Sequence, residues 1–236
     1  MADQSYRQFC PVAMAAEVLC PRWTMVLLRE LVAGSTRFNE LRRGVPRMSP
    51  TLLSKRLREL ERAGIVTRRP APEDPEHMAY ELTEAGRDLG PVIEAFGTWG
   101  QKWIEAEPSL NNVDPGLLMW DMRRNLDPTP LPPRKTVFAF LYTDQPEGRR
   151  DWWLIVEPGK AVDLCSIDPG FDVDLFIETD LRCMTAIWMG LSTVKLALDQ
   201  GRLVLDGDRG LADRMQVWLG RSPFARQKKL AGTDRV

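Results

Sequence analysis

Ten lysines and arginines fall between Arg37 and Arg69 against three acidic residues, a local excess of +7 in a chain of formal net charge −1. Clustered guanidinium and ammonium groups suit one kind of chemistry above others: they neutralise phosphates and release the counterions held there. At about 100° per residue, Thr51, Lys55, Arg58 and Arg62 share one face of a helix, with Ser54 on its flank. Leu53, Leu57 and Leu60 occupy the opposite face. A short helix with one apolar stripe and a polar-basic outer face fits a DNA major groove. Thr51, Ser54, Lys55 and Arg58 are therefore expected to face bases or nearby phosphates, with Ser49 at the head of the same helix. Arg37, Arg68 and Arg69 are expected on the sugar-phosphate backbone, which sets register rather than sequence.

Little else in the chain has the raw material for chemistry. The single histidine, His77, lies in a Pro/Glu-rich turn, where its simplest role is to touch solvent or a phosphate. Four cysteines (Cys10, Cys20, Cys165 and Cys183) are scattered without a CxxC pair, which argues against a zinc ribbon and a disulfide scaffold. Histidine-based metal sites and Ser-His-Asp or Cys-His catalysis lack their parts. No catalytic residue, metal site, cofactor or enzyme activity is expected. Cys10 is most simply a small hydrophobe, although Arg7 nearby could lower its pKa. Cys165 and Cys183 sit in core-like contexts.

These residues need elements to hold them. At 236 residues, with 44% hydrophobic and 28% charged content, two globular domains are the natural division. No apolar run approaches the roughly 18 residues that span a bilayer, and the N-terminus lacks a secretory pattern, so a cytoplasmic protein without membrane contact is expected. Ser49 as N-cap, Pro50 at the first helical position and Gly64 as a left-handed stop delimit the basic helix. Upstream, Val12–Leu19 and Arg22–Leu31 show helical spacing. Trp23, Leu27 and Leu31 form an expected buried stripe, and Gly34 closes the second helix. Arg37–Leu41 is a short helix with Phe38 and Leu41 inward. Downstream, Ile65–Arg68 and Met78–Leu82 alternate as strands, with Pro70, Pro72 and Pro75 in an exposed loop between them, the wing. A long helix from Thr83 to about Ile104 carries Leu89, Val92, Ile93, Phe96, Trp99, Trp103 and Ile104. That seam is broader than a small domain needs and is a candidate dimer interface.

Residues 9 to 104 carry an ordered series: Cys10-Pro11-Val12, Arg22-Trp23-Thr24, Arg37-Phe38-Asn39-Glu40-Leu41 and Met48-Ser49-Pro50. It continues with Leu57-Arg58-Glu59-Leu60, Gly64-Ile65-Val66, Tyr80 to Gly86 and Trp99-Gly100. This series resembles the HxlR family of bacterial winged-helix regulators. It departs from the usual pattern at Cys20-Pro21, where a glycine commonly precedes Arg-Trp-Thr. The resemblance implies a homodimer on a pseudo-palindromic operator, one recognition helix per half-site, and the expected role is that of a repressor. It also implies a second role for Cys10, because some relatives respond to oxidants through the cysteine of this Cys-Pro element.

The second half changes character. Thr136–Tyr142, Asp151–Val156, Ala161–Cys165, Asp172–Glu178 and Arg202–Leu205 read as strands, with helices at Gly116–Leu126, Leu181–Met189, Thr193–Gln200 and Leu211–Leu219. Alternation from Asp172 to Ile177 predicts one buried sheet face and one wet one. Gly190 to Leu198 followed by Gly201 to Asp208 resembles sterol-carrier-protein-like domains, which implies an apolar cavity between sheet and helices. Phe138, Phe140, Trp152, Phe176, Trp188 and Trp218 are the candidate pocket residues for a hydrophobic small-molecule effector. The expected fold class is α+β. Residues 1–107 form a winged helix-turn-helix domain for DNA binding and dimerisation, 108–133 a helical and Pro-rich linker, and 134–236 a five-stranded effector domain. The alternative is a lipid carrier or acyl-group enzyme tethered to DNA by its N-terminal half.

Overall fold

The computed structural model describes residues 5–72, 74–105 and 110–231. The chain divides into two compact units, one through Gly97 and the other from Thr98 on. Of the linker expected at 108–133, residues 108 and 109 lie outside the described residues.

The first unit begins with α1 (Pro11–Leu19), α2 (Thr24–Val32), α3 (Phe38–Gly44) and α4 (Pro50–Arg62). The wing strands β1 (Val66–Ala71) and β2 (Asp74–Leu82) follow, then the short α5 (Glu84–Arg87) and α6 (Gly90–Trp103), which runs across the division at Gly97. Its core joins Leu27, Leu28 and Leu31 of α2 to Leu41, Val45 and Met48, and to Leu53, Leu57 and Leu60 of α4. Glu40 Oε2 accepts from the Thr36 and Arg37 amides and so caps α3. Ser49 Oγ accepts from the Leu52 amide at 3.3 Å, and Gly64 stops α4 at φ +71°. Gly44 sets the helix spacing: a Cβ there would lie 1.9 Å from the carboxyl carbon of the fully buried Glu30.

Three expectations change. Trp23 stands outside α2, half-buried, with a left-handed backbone at φ +80°. The chain reverses at Pro21 and Arg22, and Thr24 N donates back to Pro21 O at 3.0 Å, so the helix starts at Thr24, two residues later than expected. The wing is a longer ribbon than expected. Pro70 and Pro75 lie inside its strands, and Ala71 pairs with Asp74 after a register shift. A two-stranded ribbon turns alternate N–H groups outward, so a proline at such a position sacrifices no ladder bond. Finally, the helix from Thr83 breaks at Asp88-Leu89. Pro91 has no N–H for the Arg87 carbonyl and its ring would collide there, so α6 restarts at Gly90.

The second unit contains α7 (Pro115–Asn125), β3 (Thr136–Tyr142), β4 (Asp151–Val156), β5 (Asp163–Cys165) and β6 (Leu175–Thr179). It continues with α8 (Leu181–Trp188), α9 (Val194–Asp199), β7 (Leu203–Gly207), α10 (Arg209–Asp213) and α11 (Met215–Leu219). The sheet order is β5-β4-β3-β6-β7, with β3 and β6 parallel and the other pairs antiparallel. The helix expected from Leu211 to Leu219 is thus two short helices meeting at Arg214. In β6 the alternation holds: Leu175 and Ile177 are buried while Phe176 is 51% exposed.

Tyr142 is fully buried, and its hydroxyl donates to Met119 Sδ at 3.1 Å. Burial, aided by the Asp144 charge, pushes its pKa well above the ordinary tyrosine value. The unfolded chain releases this proton near pH 10 and the folded chain keeps it, so stability present below that pH is lost above it. The expected slope is about 1.4 kcal/mol per pH unit. Urea unfolding at pH 9.5 to 11 checks this, and Tyr142→Phe should remove that part of the slope.

Candidate nucleic-acid interface

Geometry at α4 follows from its sequence. Leu53 and Leu57 are fully buried, and Leu60 nearly so, which fixes the rotation of the helix about its axis. Thr51, Lys55, Arg58 and Arg62 are exposed, Ser54 is half-buried on the flank, and Ser49 is exposed at the N-terminus. Arg58 has no ion pair or side-chain hydrogen bond among the described residues, so its guanidinium fork is free for a new partner. Lys55 Nζ is only loosely paired, 4.0 Å from Glu59 Oε1.

Arg56 belongs to the same basic run but points elsewhere. Its Nε donates to Arg22 O at 3.1 Å and its Nη1 bonds Glu59 Oε2, which ties α4 to the turn before α2. Charge count alone cannot separate Arg56 from Lys55; its contact with a residue 34 positions away does.

Arg68 and Arg69 are exposed on β1 of the wing. His77 is exposed on β2, its Nδ1 2.8 Å from Asp74 Oδ2. Arg37 is half-buried at the head of α3, with Nη1 3.9 Å from the same Asp74 oxygen. The wing is also stitched to α3, because Tyr80 N donates to Thr36 O at 2.8 Å and Arg37 bridges Ala79. Asp74 therefore gathers Arg37 and His77 near the turn end of the ribbon. Sequence reading had no means to foresee that carboxylate between two expected phosphate contacts. Arg42 is a further exposed cation, on α3, that it passed over.

Cys10 is half-buried at the head of α1, and Cys20 is exposed. Cys183 is buried as expected, whereas Cys165 is half-buried. Among the described residues no group of His, Cys, Asp and Glu is placed to hold a metal ion. No single helix among them is long and apolar enough to cross a membrane.

The aromatic set of the second unit separates. Phe138 and Trp218 stack with centroids 4.1 Å apart and planes at 21°. Phe140 and Trp188 join the same core, and Trp152 packs at its border. Phe176 pairs with Ala139 and so faces the other side of the sheet from Phe138 and Phe140. Five of the six candidates thus fill one core and the sixth faces away from it. A groove of about 550 Å³ lies elsewhere, lined by Ile155, Val162, Cys165 and Phe171 with charged residues at its rim.

A helix-turn-helix with an antiparallel wing and a cationic outer face defines a winged-helix DNA-binding protein. Comparisons agree. The HxlR-like helix-turn-helix family matches residues 18–108. YvaP, an HTH-type transcriptional regulator of Bacillus subtilis, is 36% identical over 99 residues, covering 42% of this chain and 92% of the relative. The regulator Rv3095 of Mycobacterium tuberculosis is 45% identical over 95 residues, covering 39% of this chain and 58% of the relative. The reduced form of YodB from B. subtilis is similar in structure at 32% identity and a TM-score of 0.36, covering 42% of this chain and 97% of that one. The chain belongs to the HxlR-like helix-turn-helix family and is a DNA-binding transcriptional regulator.

Proposed function

We propose that the protein is a homodimeric repressor that reads a pseudo-palindromic operator with one α4 in each half-site. The observation that carries this reading is the split of α4 into three buried leucines and an outer face of Thr51, Lys55 and Arg58. Arg68 and Arg69 hold the duplex backbone from the wing, while Arg37 and His77 approach it beside Asp74. Footprinting on the DNA upstream of its own gene tests the reading, with two protected half-sites about one helical turn apart as the expected result. Protection without that spacing would sink the two-fold arrangement.

Phosphate contacts also set the salt dependence. Each one contributes about −0.9 to the slope of log affinity against log salt. Removing Arg68 and Arg69 from both subunits should flatten that slope by about 2 to 4. A slope unchanged in the double alanine variant would remove these arginines from the interface.

The second unit is proposed to be sterol-carrier-like and to sense an apolar effector. Its five-stranded sheet and the half-apolar groove beside Ile155 and Phe171 support that reading. Cys10 is proposed as a thiol sensor, supported by its partial exposure at the head of α1. An unaltered response to oxidant in Cys10→Ser would end that part.

A further inference from the structure

A half-open pocket of about 570 Å³ lies inside the first unit, on the flank of the helix assigned to DNA. Its apolar wall is Val18, Pro21, Leu60 and Ala63. Four charged side chains also line it, and all four are engaged. Glu17 Oε1 accepts from Ser5 Oγ and Tyr6 N, while Glu59 takes Arg56 and, more loosely, Lys55. Two positive and two negative groups thus balance, and no lone charge waits for an ion.

One polar group in the wall is not satisfied. Thr24, the first residue of α2, is 2% exposed, and its Oγ1 has no hydrogen-bond partner among the described residues. Buried hydroxyls almost always have one, and leaving one unpaired is costly. Thr24 is one of the residues that line a pocket with room for an organic molecule.

We propose that this pocket binds an uncharged organic molecule with an apolar body and one hydrogen-bonding oxygen, which pairs with the Thr24 hydroxyl. Neutrality follows from the balanced wall, since an anion would meet Glu17 and Glu59 and a cation would meet Lys55 and Arg56. The site is separate from the effector groove of the second unit. Residues 55, 56, 59, 60 and 63 of its wall all come from α4 or its cap, so an occupant touches the helix that carries the operator contacts. Only this regulatory consequence rests on the reading of α4 given above; binding itself does not.

Benzyl alcohol, benzoate and benzylamine share a ring and differ in charge, which makes them a fair set of probes. Titrations of the full-length protein without DNA, followed by amide shifts of Thr24, Leu60 and Ala63, test the site. Benzyl alcohol should move these signals at lower concentration than either ion. Thr24→Val should weaken its binding about fivefold, the worth of one hydrogen bond. The free variant should melt no lower than the wild type, because it loses only an unpaired hydroxyl. Preferential binding of benzoate or benzylamine, no response to benzyl alcohol, or equal affinity in Thr24→Val would each overturn the proposal. Because DNA is absent, failure of the operator reading would leave this result untouched.

Discussion

Replacing Phe96 and Trp99 by glutamate is expected to turn the dimer into a monomer and remove nearly all of its operator affinity. Val92, Phe96, Trp99 and Trp103 follow one another at steps of four, three and four along α6, and each is 46 to 62% exposed. Ile93, on the adjoining face, is buried against the first unit's own core. The helix therefore has one satisfied stripe and one bare stripe, and aromatic area left in water at that spacing fits a second helix. Burying each aromatic contributes about 1.5–3 kcal/mol, and two-fold symmetry counts each residue twice. Phe96 is 62% and Trp99 57% exposed, so the pair accounts for about 4–7 kcal/mol of dimer stability, before any cost of burying four carboxylates. A monomer presents one α4 instead of two, so it loses the second half-site's contribution. Sedimentation at micromolar concentration, with circular dichroism to confirm an intact fold, checks the outcome. A variant that stays dimeric and binds the operator normally would assign the seam another role.

That bare stripe was legible in the sequence because helical period and apolar content are local properties. The same holds for α4, where Ser49, Pro50 and Gly64 fix the ends and three leucines fix the rotation. What failed was also local, but governed by sterics rather than hydrophobic pattern. The apolar seam runs on through Leu89-Gly90-Pro91, but the backbone cannot carry one helix across that proline. Trp23 has the right spacing for the α2 stripe, yet tertiary closure of the turn at Pro21 places it in a left-handed conformation instead. In the wing the reverse holds: proline marks a loop by propensity, yet an exposed ribbon tolerates it inside its strands.

Non-local arrangements were out of reach for a different reason. Alternation places Phe138 and Phe140 on one face of β3, but only the pairing of Ala139 with Phe176 reveals that Phe176 faces the other way. Register between strands separated by more than thirty residues is set by the whole sheet. The pocket beside Thr24 is assembled from α1, the turn before α2 and the flank of α4. Nothing in any one of those segments marks it. The inward turn of Arg56 is likewise visible only with Arg22 and Glu59 in place.

Arg58→Ala should abolish discrimination at one base position in each half-site while leaving random DNA bound almost as before. Arg58 projects from the exposed face of α4, one turn from Lys55, without an internal partner among the described residues. A guanidinium in that position can bridge the O6 and N7 atoms of a guanine, a pair worth about 1–3 kcal/mol of discrimination. Both half-sites lose it together, so operator affinity should fall by about 2–6 kcal/mol, or roughly 30-fold to 10⁴-fold. Arg58→Lys should recover little of this, since an ammonium keeps the charge but not the planar fork. Lys55 and Arg62 flank the same face, and their charges continue to hold the phosphates, so the salt slope should change little. Competition binding with operator and scrambled duplexes separates the cases. Equal losses on both duplexes, with a shallower salt slope, would move Arg58 from the bases to the backbone, and the reading of sequence would then fall to Thr51, Ser54 and Lys55.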